Sequence, residues 1–131
     1  KHDAQKALLD ARGIATIEPA EVEPRRWDIV VEATGSPSGF DLAARALRPR
    51  GTLVLKSTYR GEVTLALAPF VVDEITIIGS RCGPFAPALR LLERGEVDPT
   101  ALIAETYPLT RAIEAMEVAG RPGTMKVLLR P

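Results

Sequence analysis

A loop of sequence Gly-Ser-Pro-Ser-Gly at positions 35–39 contains the first candidate residues for chemistry. A serine midway between two glycines would suggest the nucleophile elbow of a hydrolase. The midpoint here is Pro37, which has no nucleophile, and the only histidine of the chain is His2. A Ser-His-Asp triad is therefore disfavoured. The loop instead predicts the start of a helix, with Ser36 or Ser38 as the N-cap and free backbone N–H groups that would let a ligand approach.

Glu32 is an acidic residue at the end of an apolar run, and it invites comparison with the ribose-binding acid of dinucleotide-binding folds. That acid lies about twenty residues beyond a G-x-G-x-x-G turn. The sequence contains no such turn, and Gly13 is the only glycine that precedes Glu32. We therefore do not assign Glu32 as that acid, and the glycine-rich turn that cradles a phosphate is absent from this sequence.

Two further polar segments follow apolar runs, at Lys56-Ser57-Thr58 and at Gly79–Gly83. The guanidinium of Arg81 suits either a phosphate or a surface carboxylate. Cys82 is expected to act as a small hydrophobic residue rather than a nucleophile, because no histidine or lysine adjoins it to lower its pKa. Lys126, at the start of a later apolar run, is by default a solvated surface charge.

The apolar runs before these polar segments predict strands, and they are Ile29–Val31, Leu53–Leu55 and Ile75–Ile78. Their continuous, largely β-branched character is typical of strands buried on both faces of a parallel sheet. Ligands bind such sheets beyond the carboxyl ends of the strands. The predicted ligand site therefore comprises Thr34–Gly39, Lys56–Tyr59 and Gly79–Gly83.

Helical periodicity alternates with these strands along the chain. Predicted helices lie at 3–11, 40–47, 85–92 and 109–116, and shorter strands are predicted at 14–17, 63–67, 103–107 and 127–129. This alternation predicts an α/β fold with a parallel sheet. The strands at 29, 53 and 75 are expected to be neighbours in that sheet.

Composition excludes several classes of function. The 131 residues carry 17 basic and 17 acidic side chains, so no charge excess favours nucleic-acid binding. No apolar run approaches the roughly twenty residues that span a bilayer. One cysteine and one histidine make an internal zinc site improbable, because such sites need three or four ligands. We expect a cytoplasmic protein with neither a nucleic-acid nor a membrane partner.

Four segments in order and spacing resemble the zinc-dependent medium-chain alcohol dehydrogenase superfamily. They are "DIVVEATG" at 28–35, "LRPRGTLVL" at 47–55, "EITIIGSRCG" at 74–83 and "GTMKVLL" at 123–129. The chain is similar to the C-terminal portion of such an enzyme, beginning after the second strand of its nucleotide-binding domain. The resemblance implies an incomplete Rossmann-like, doubly wound parallel sheet within residues 1–82. Residues 83–131 would form a C-terminal segment of helix and short strands that returns into the catalytic domain.

The resemblance also implies a coenzyme, NAD or NADP, and the positions that contact it. The adenosine side would be lined by Ala33, Thr34, Gly35 and Ser36, and the nicotinamide by Lys56, Ser57 and Thr58. The segment Ser80, Arg81 and Cys82 would hold the carboxamide through its main chain, and Lys126 would reach the pyrophosphate. The family often has glycine in place of Ser57, and Lys56 is bulkier and charged, so the nicotinamide contacts are expected to differ.

The implied activity is that of a fragment of an NAD(P)-dependent oxidoreductase. Hydride would pass between the nicotinamide and an alcohol or polyol, while zinc polarises the substrate oxygen. The zinc ligands belong to an N-terminal domain that this sequence does not include, and no catalytic residue is assigned here. We expect the chain alone to be inactive and to bind coenzyme weakly. A zinc-free parent resembling the quinone reductases is a variant of this prediction.

A second interpretation is a non-catalytic homodimerisation or binding module. The strand Ile75–Ser80 resembles the edge at which two sheets of the family join, and an apolar β-branched edge suits such pairing. The strand at 14–17 would have lost its sheet neighbour, so we expect the exposed strand edge to be buried in an oligomer or the N-terminal helix to rearrange. A third interpretation, a methyltransferase, would also require a glycine-rich first turn.

Overall fold

The computed structural model describes residues 3–59 and 64–131. The helices are α1 Asp3–Ala11, α2 Pro37–Ala46, α3 Ala68–Val72, α4 Phe85–Glu93 and α5 Ala112–Ala119. The strands are β1 Trp27–Glu32, β2 Leu47–Leu55, β3 Thr76–Gly79, β4 Ile103–Pro108 and β5 Lys126–Arg130. Two compact units result, one made of Lys1–Thr16 with Gly83–Pro131 and the other of Ile17–Cys82. None of the helices among the described residues has the length and apolar character needed to cross a membrane.

The unit Ile17–Cys82 contains a three-stranded parallel sheet in the order β1-β2-β3. Leu53 in the central strand pairs in register with Val30 on one side and Ile77 on the other. The predicted α/β fold and the predicted order of these strands are therefore confirmed. Because the strands are parallel and adjacent, their carboxyl ends lie at one edge of the sheet.

Helix α2 links β1 to β2, and its start follows from the sequence. Ser36 is the N-cap, with an extended backbone at φ −125°, and its hydroxyl accepts a hydrogen bond from the amide of Gly39. Pro37 fits the first turn because that position needs no amide donor. The helix buries Phe40 and Ala43 against the sheet residue Leu53, and this contact forms the core of the unit.

The prediction of burial on both faces is wrong for β1. Val30 and Leu53, on the face that packs against α2, are half-buried and fully buried. Ile29 and Val31, which point to the other face, are 64% and 57% exposed. A β-branched run indicates that both faces of a strand are apolar, but the described residues of this unit cover only one of them.

Two predicted short strands also do not form. Residues 14–17 lack regular secondary structure, and among the described residues β1 pairs only with β2. Residues 64–67 likewise contain no strand, and Leu67 instead caps α3. Val63, the first residue of that predicted strand, lies outside the described residues. An alternating apolar pattern is compatible with a strand that has one buried face. It does not show that a neighbouring strand is available to pair with it.

The second unit contains the predicted C-terminal helices and short strands. β4 and β5 form a parallel pair, and α5 packs on them with Tyr107, Ala115 and Val118 buried. The last helix begins at Ala112, later than predicted, because Leu109–Arg111 forms a 3-10 turn first.

Candidate functional site

Three loops follow the carboxyl ends of β1, β2 and β3 at one edge of the sheet. We call residues 33–36 the first loop, residues 56–59 the second loop and residues 80–82 the third loop. They contain every predicted coenzyme contact except Lys126. Lys126 is the first residue of β5 in the other unit.

The first loop is organised by Glu32, the last residue of β1. Its side chain is 1% exposed. Glu32 Oε1 accepts hydrogen bonds from the Thr34 amide at 2.5 Å, the Thr34 hydroxyl at 2.6 Å and the Gly35 amide at 3.2 Å. Gly35 has a φ of +66°, which glycine adopts at little cost, so the chain can fold back over the carboxylate. Glu32 therefore fixes the shape of the loop from below.

The electrostatics of Glu32 follow from its burial and its donors. Burial alone would raise the pKa of the Glu32 carboxyl, but the Thr34 hydroxyl, the nearby Tyr59 hydroxyl and the Thr34 amide together lower it to about 2. Burial, together with the adjacent Glu32 carboxylate, raises the pKa of Tyr59 to about 12. Glu32 Oε2 and the Tyr59 hydroxyl are buried and form no hydrogen bond with the described residues. Each group contributes to the pKa shift of the other, which indicates that they lie near one another although they form no hydrogen bond.

This carboxylate predicts how the unit responds to acid. The pKa of Glu32 falls from the ordinary 4.5 to about 2 on folding, so the folded state favours the charged form. The stability that Glu32 contributes is complete above the unfolded value and is lost as the pH falls towards the folded value. Urea unfolding followed by the fluorescence of Trp27 should show this loss between pH 4.5 and 2. Glu32→Gln should have a shallower pH dependence in that range, and equal slopes would contradict this assignment.

Hydrogen bonds join the three loops to one another. The Gly35 amide also donates to Ser57 Oγ at 2.9 Å, which links the first loop to the second. Lys56 Nζ donates to the carbonyl oxygen of Arg81 at 2.7 Å, which links the second loop to the third. The Ser80 amide donates to the Leu55 carbonyl at 2.8 Å and so continues the sheet pairing up to the third loop. The ammonium of Lys56 thus supports the backbone of the neighbouring loop.

Gly39 packs closely against Thr34 of the first loop. A Cβ atom at Gly39 would lie 1.9 Å from Thr34 Oγ1, so no larger residue fits without displacing Thr34. Thr34 Oγ1 lies 3.1 Å from Ser36 Oγ, which in turn lies 3.4 Å from Ser38 Oγ. A line of hydroxyl groups therefore runs from the buried carboxylate to the surface.

The side chains of the other predicted contacts on these loops form no hydrogen bonds with the described residues. Ala33, Thr58, Arg81 and Cys82 are exposed, and Cys82 is a free thiol. Sequence reasoning considered Glu32 only as a ribose ligand and missed its role as the buried acceptor of the first loop. The available signal was the position of Glu32, which ends a strand and precedes Thr34 by two residues. At that spacing a side-chain oxygen can accept a hydrogen bond from a backbone amide.

A protein zinc site needs three or four side-chain ligands that converge on one point. Across residues 3–59 and 64–131, no group of three or more His, Cys, Asp and Glu side chains is arranged to hold a metal ion. These residues therefore do not fit a zinc site.

The sequence of this chain is similar to sequences of known dehydrogenases. The sequence model described as zinc-binding dehydrogenase matches residues 6–94. D-arabinitol dehydrogenase 1 from Uromyces fabae is 28% identical over 115 residues, which cover 85% of this chain and 33% of that protein. Sorbitol dehydrogenase from Gallus gallus is 30% identical over 105 residues, which cover 79% of this chain and 30% of that protein.

A solved structure gives the same result in three dimensions. The cobalt- and zinc-bound thermostable alcohol dehydrogenase from Pyrobaculum aerophilum is 30% identical, with a TM-score of 0.78 over 96% of this chain and 39% of that chain. The chain thus spans about a third of the length of these relatives. The predicted resemblance to the zinc-dependent alcohol dehydrogenases is confirmed, and the chain belongs to the zinc-binding dehydrogenase family of oxidoreductases.

Proposed function

We propose that this chain supplies coenzyme-contacting loops to an NAD(P)-dependent oxidoreductase that acts on an alcohol or polyol. The observation that carries the proposal is the set of three loops at one edge of the parallel sheet, which contain three serines and two threonines and are joined by hydrogen bonds. Nucleotide coenzymes bind such sheets at this edge. The named relatives, which are arabinitol, sorbitol and alcohol dehydrogenases, support the substrate class.

The backbone of the first loop is open to an approaching ligand. A Cβ atom built at Gly35 would meet its nearest neighbour among the described residues at 3.9 Å. Bound NAD or NADP would supply a hydride donor or acceptor at nicotinamide C4. We assign the first loop to the adenosine side, the second loop to the nicotinamide and the main chain of the third loop to the carboxamide.

Two assignments extend the proposal to the rest of the chain. We place the coenzyme-binding part within residues 1–82 and the return into a catalytic domain at 83–131, with Lys126 as the pyrophosphate contact. We assign no catalytic residue, and we expect no alcohol oxidation by the chain alone, because the described residues contain no group of three or more His, Cys, Asp and Glu side chains placed to bind a catalytic zinc.

Titration of the ¹⁵N-labelled chain with NADH tests the proposal, because two-dimensional amide spectra detect weak binding at single residues. The expected result is a saturable shift of amides in the three loops, with the amides of α4 unchanged. NADPH in a parallel titration reports the coenzyme preference, and ATP controls for binding of a nucleotide phosphate. An NADH titration that shifts no loop amide at millimolar concentration, or shifts that ATP reproduces in full, would overturn the proposal.

A second candidate function is homodimerisation through the segment Ile75–Ser80. One observation favours it: within the described residues β3 pairs only with β2, while Ile77 and Ile78 are 42% and 48% exposed. Sedimentation velocity separates the candidates. A dimer that Ile77→Lys converts to monomer, together with no NADH binding, would favour this second function.

A further inference from the structure

The two oxygens of the Glu32 carboxylate differ in their hydrogen-bond partners. Oε1 accepts from the Thr34 amide, the Thr34 hydroxyl and the Gly35 amide of the first loop. Oε2 is buried and has no hydrogen-bond donor among the described residues. The Tyr59 hydroxyl, at the end of the second loop, is likewise buried and unpaired. The carboxylate and the phenol shift each other's pKa in opposite directions, which supports their proximity.

Tyr59 is held in this position by the core and not by its hydroxyl. Its ring packs against the buried cluster that includes Phe40 and Leu53. The second loop also contacts the first directly, because the Gly35 amide donates to Ser57 Oγ at 2.9 Å. A displacement of either loop would therefore be transmitted to the other through short contacts.

A buried carboxylate at the end of a strand stabilises a turn only at a large desolvation cost. Burying a charge disfavours folding unless several donors compensate, and an apolar side chain of similar volume is often as stable. Glu32 nevertheless lies at 1% exposure and draws three donors to one oxygen. What the charge adds is a fixed direction for the amides and the hydroxyl that bound it, and a ligand-contacting loop requires such fixed directions.

We propose that Glu32 is a positioning residue that couples the first loop to the second. Oε1 sets the orientation of Thr34 and Gly35, and the Gly35 amide that it holds also donates to Ser57 Oγ of the second loop, where the buried Tyr59 hydroxyl lies near the same carboxylate. The coenzyme contacts of both loops then depend on one buried group that does not itself touch the coenzyme. The binding part of this inference rests on the proposed function, whereas the coupling between the loops does not.

Tyr59→Phe is the principal test, because it removes only a hydroxyl that forms no hydrogen bond and should therefore leave the protein folded. In the coenzyme-free chain, we expect this substitution to shift the amide resonances of Thr34 and Gly35 on the other loop. We expect NADH affinity to fall by about three- to tenfold, which lies in the lower part of the range of coupling between residues in contact. In a Glu32→Gln background, the same substitution should no longer move those amides.

The chain offers a matched control in its other tyrosine. Tyr107, in the second unit, donates from its hydroxyl to Glu105 Oε2 at 2.5 Å, so it is also a tyrosine beside a glutamate. Tyr107→Phe should leave the Thr34 and Gly35 amides and the NADH affinity unchanged. Equal effects of the two substitutions would overturn the inference.

A reciprocal variant keeps the test decisive if Glu32→Gln does not fold. Thr34→Val removes the hydroxyl that donates to Glu32 but preserves the shape of the side chain. We expect it to move the ring resonances of Tyr59, and Thr34→Ser should restore them. Unchanged Tyr59 resonances, or unchanged Thr34 and Gly35 amides in Tyr59→Phe, would refute the coupling. Absence of NADH binding to the unsubstituted chain would refute the proposed function, and the coenzyme-free spectra would still decide the coupling.

Discussion

Replacing Glu32 by alanine is expected to lower the free energy of unfolding of the unit Ile17–Cys82 by about 3 kcal/mol, because it removes a buried side chain and the acceptor of part-buried donors. Oε1 accepts from the amide and hydroxyl of Thr34 and from the Gly35 amide. The Gly35 amide also donates to Ser57 Oγ, and the Thr34 hydroxyl also lies 3.1 Å from Ser36 Oγ, so the Thr34 amide loses most. The carboxylate is also buried, so truncation leaves a gap at the end of β1. Urea unfolding followed by Trp27 measures this loss, since the only tryptophan of the chain lies at the start of that strand.

An exposed glutamate in the same unit provides the control. Glu23 pairs with Arg26, and their side chains are 63% and 59% exposed. Glu23→Ala should change the unfolding free energy by no more than about 0.5 kcal/mol, as is usual for surface ion pairs. If Glu32→Ala and Glu23→Ala had similar effects, Glu32 would not be the organising residue of the first loop.

The second large effect is expected at Leu53, in the centre of the sheet. Its side chain is 0% exposed and lies against Phe40, Ala43 and Leu47. Leu53→Ala should destabilise the unit by about 2–5 kcal/mol, because it removes buried methyl groups and leaves a cavity. The same Trp27 measurement applies, and the transition should move to lower urea without a change in its slope.

Ile77 is the matched control for this substitution. It pairs in register with Leu53 on the neighbouring strand but is 42% exposed. Ile77→Ala should therefore cost less than half as much as Leu53→Ala. Equal losses would show that the burial of Leu53 does not make it the centre of this core.

The position of the three loops at one edge of the sheet could be predicted because three apolar runs each end in polar residues. Parallel strands bring their carboxyl ends to one edge, so Ile29–Val31, Leu53–Leu55 and Ile75–Ile78 were enough to locate the loops. The helix cap at Ser36 was among the predicted alternatives for the same reason, since capping depends on neighbours in the sequence. These features are either local or follow directly from strand order.

Features that depend on distant partners could not be predicted. The bond from Lys56 to the Arg81 carbonyl joins residues 25 positions apart, and nothing in either segment indicates it. The exposure of Ile29 and Val31 depends on what covers the second face of the sheet, which apolar character alone does not reveal. Glu32 was compared with one known motif and set aside, whereas its role depends on a fold-back at Gly35 and on a tyrosine of another loop.

The most direct test of the proposed coenzyme surface is a set of intermolecular nuclear Overhauser effects between NADH and the methyl groups of the chain. Thr34 on the first loop and Thr58 on the second loop each carry one methyl group. We expect contacts from adenosine protons to the Thr34 methyl group and from nicotinamide protons to the Thr58 methyl group. Contacts with the two assignments reversed, or contacts only to the unit that contains Gly83–Pro131, would contradict this expectation.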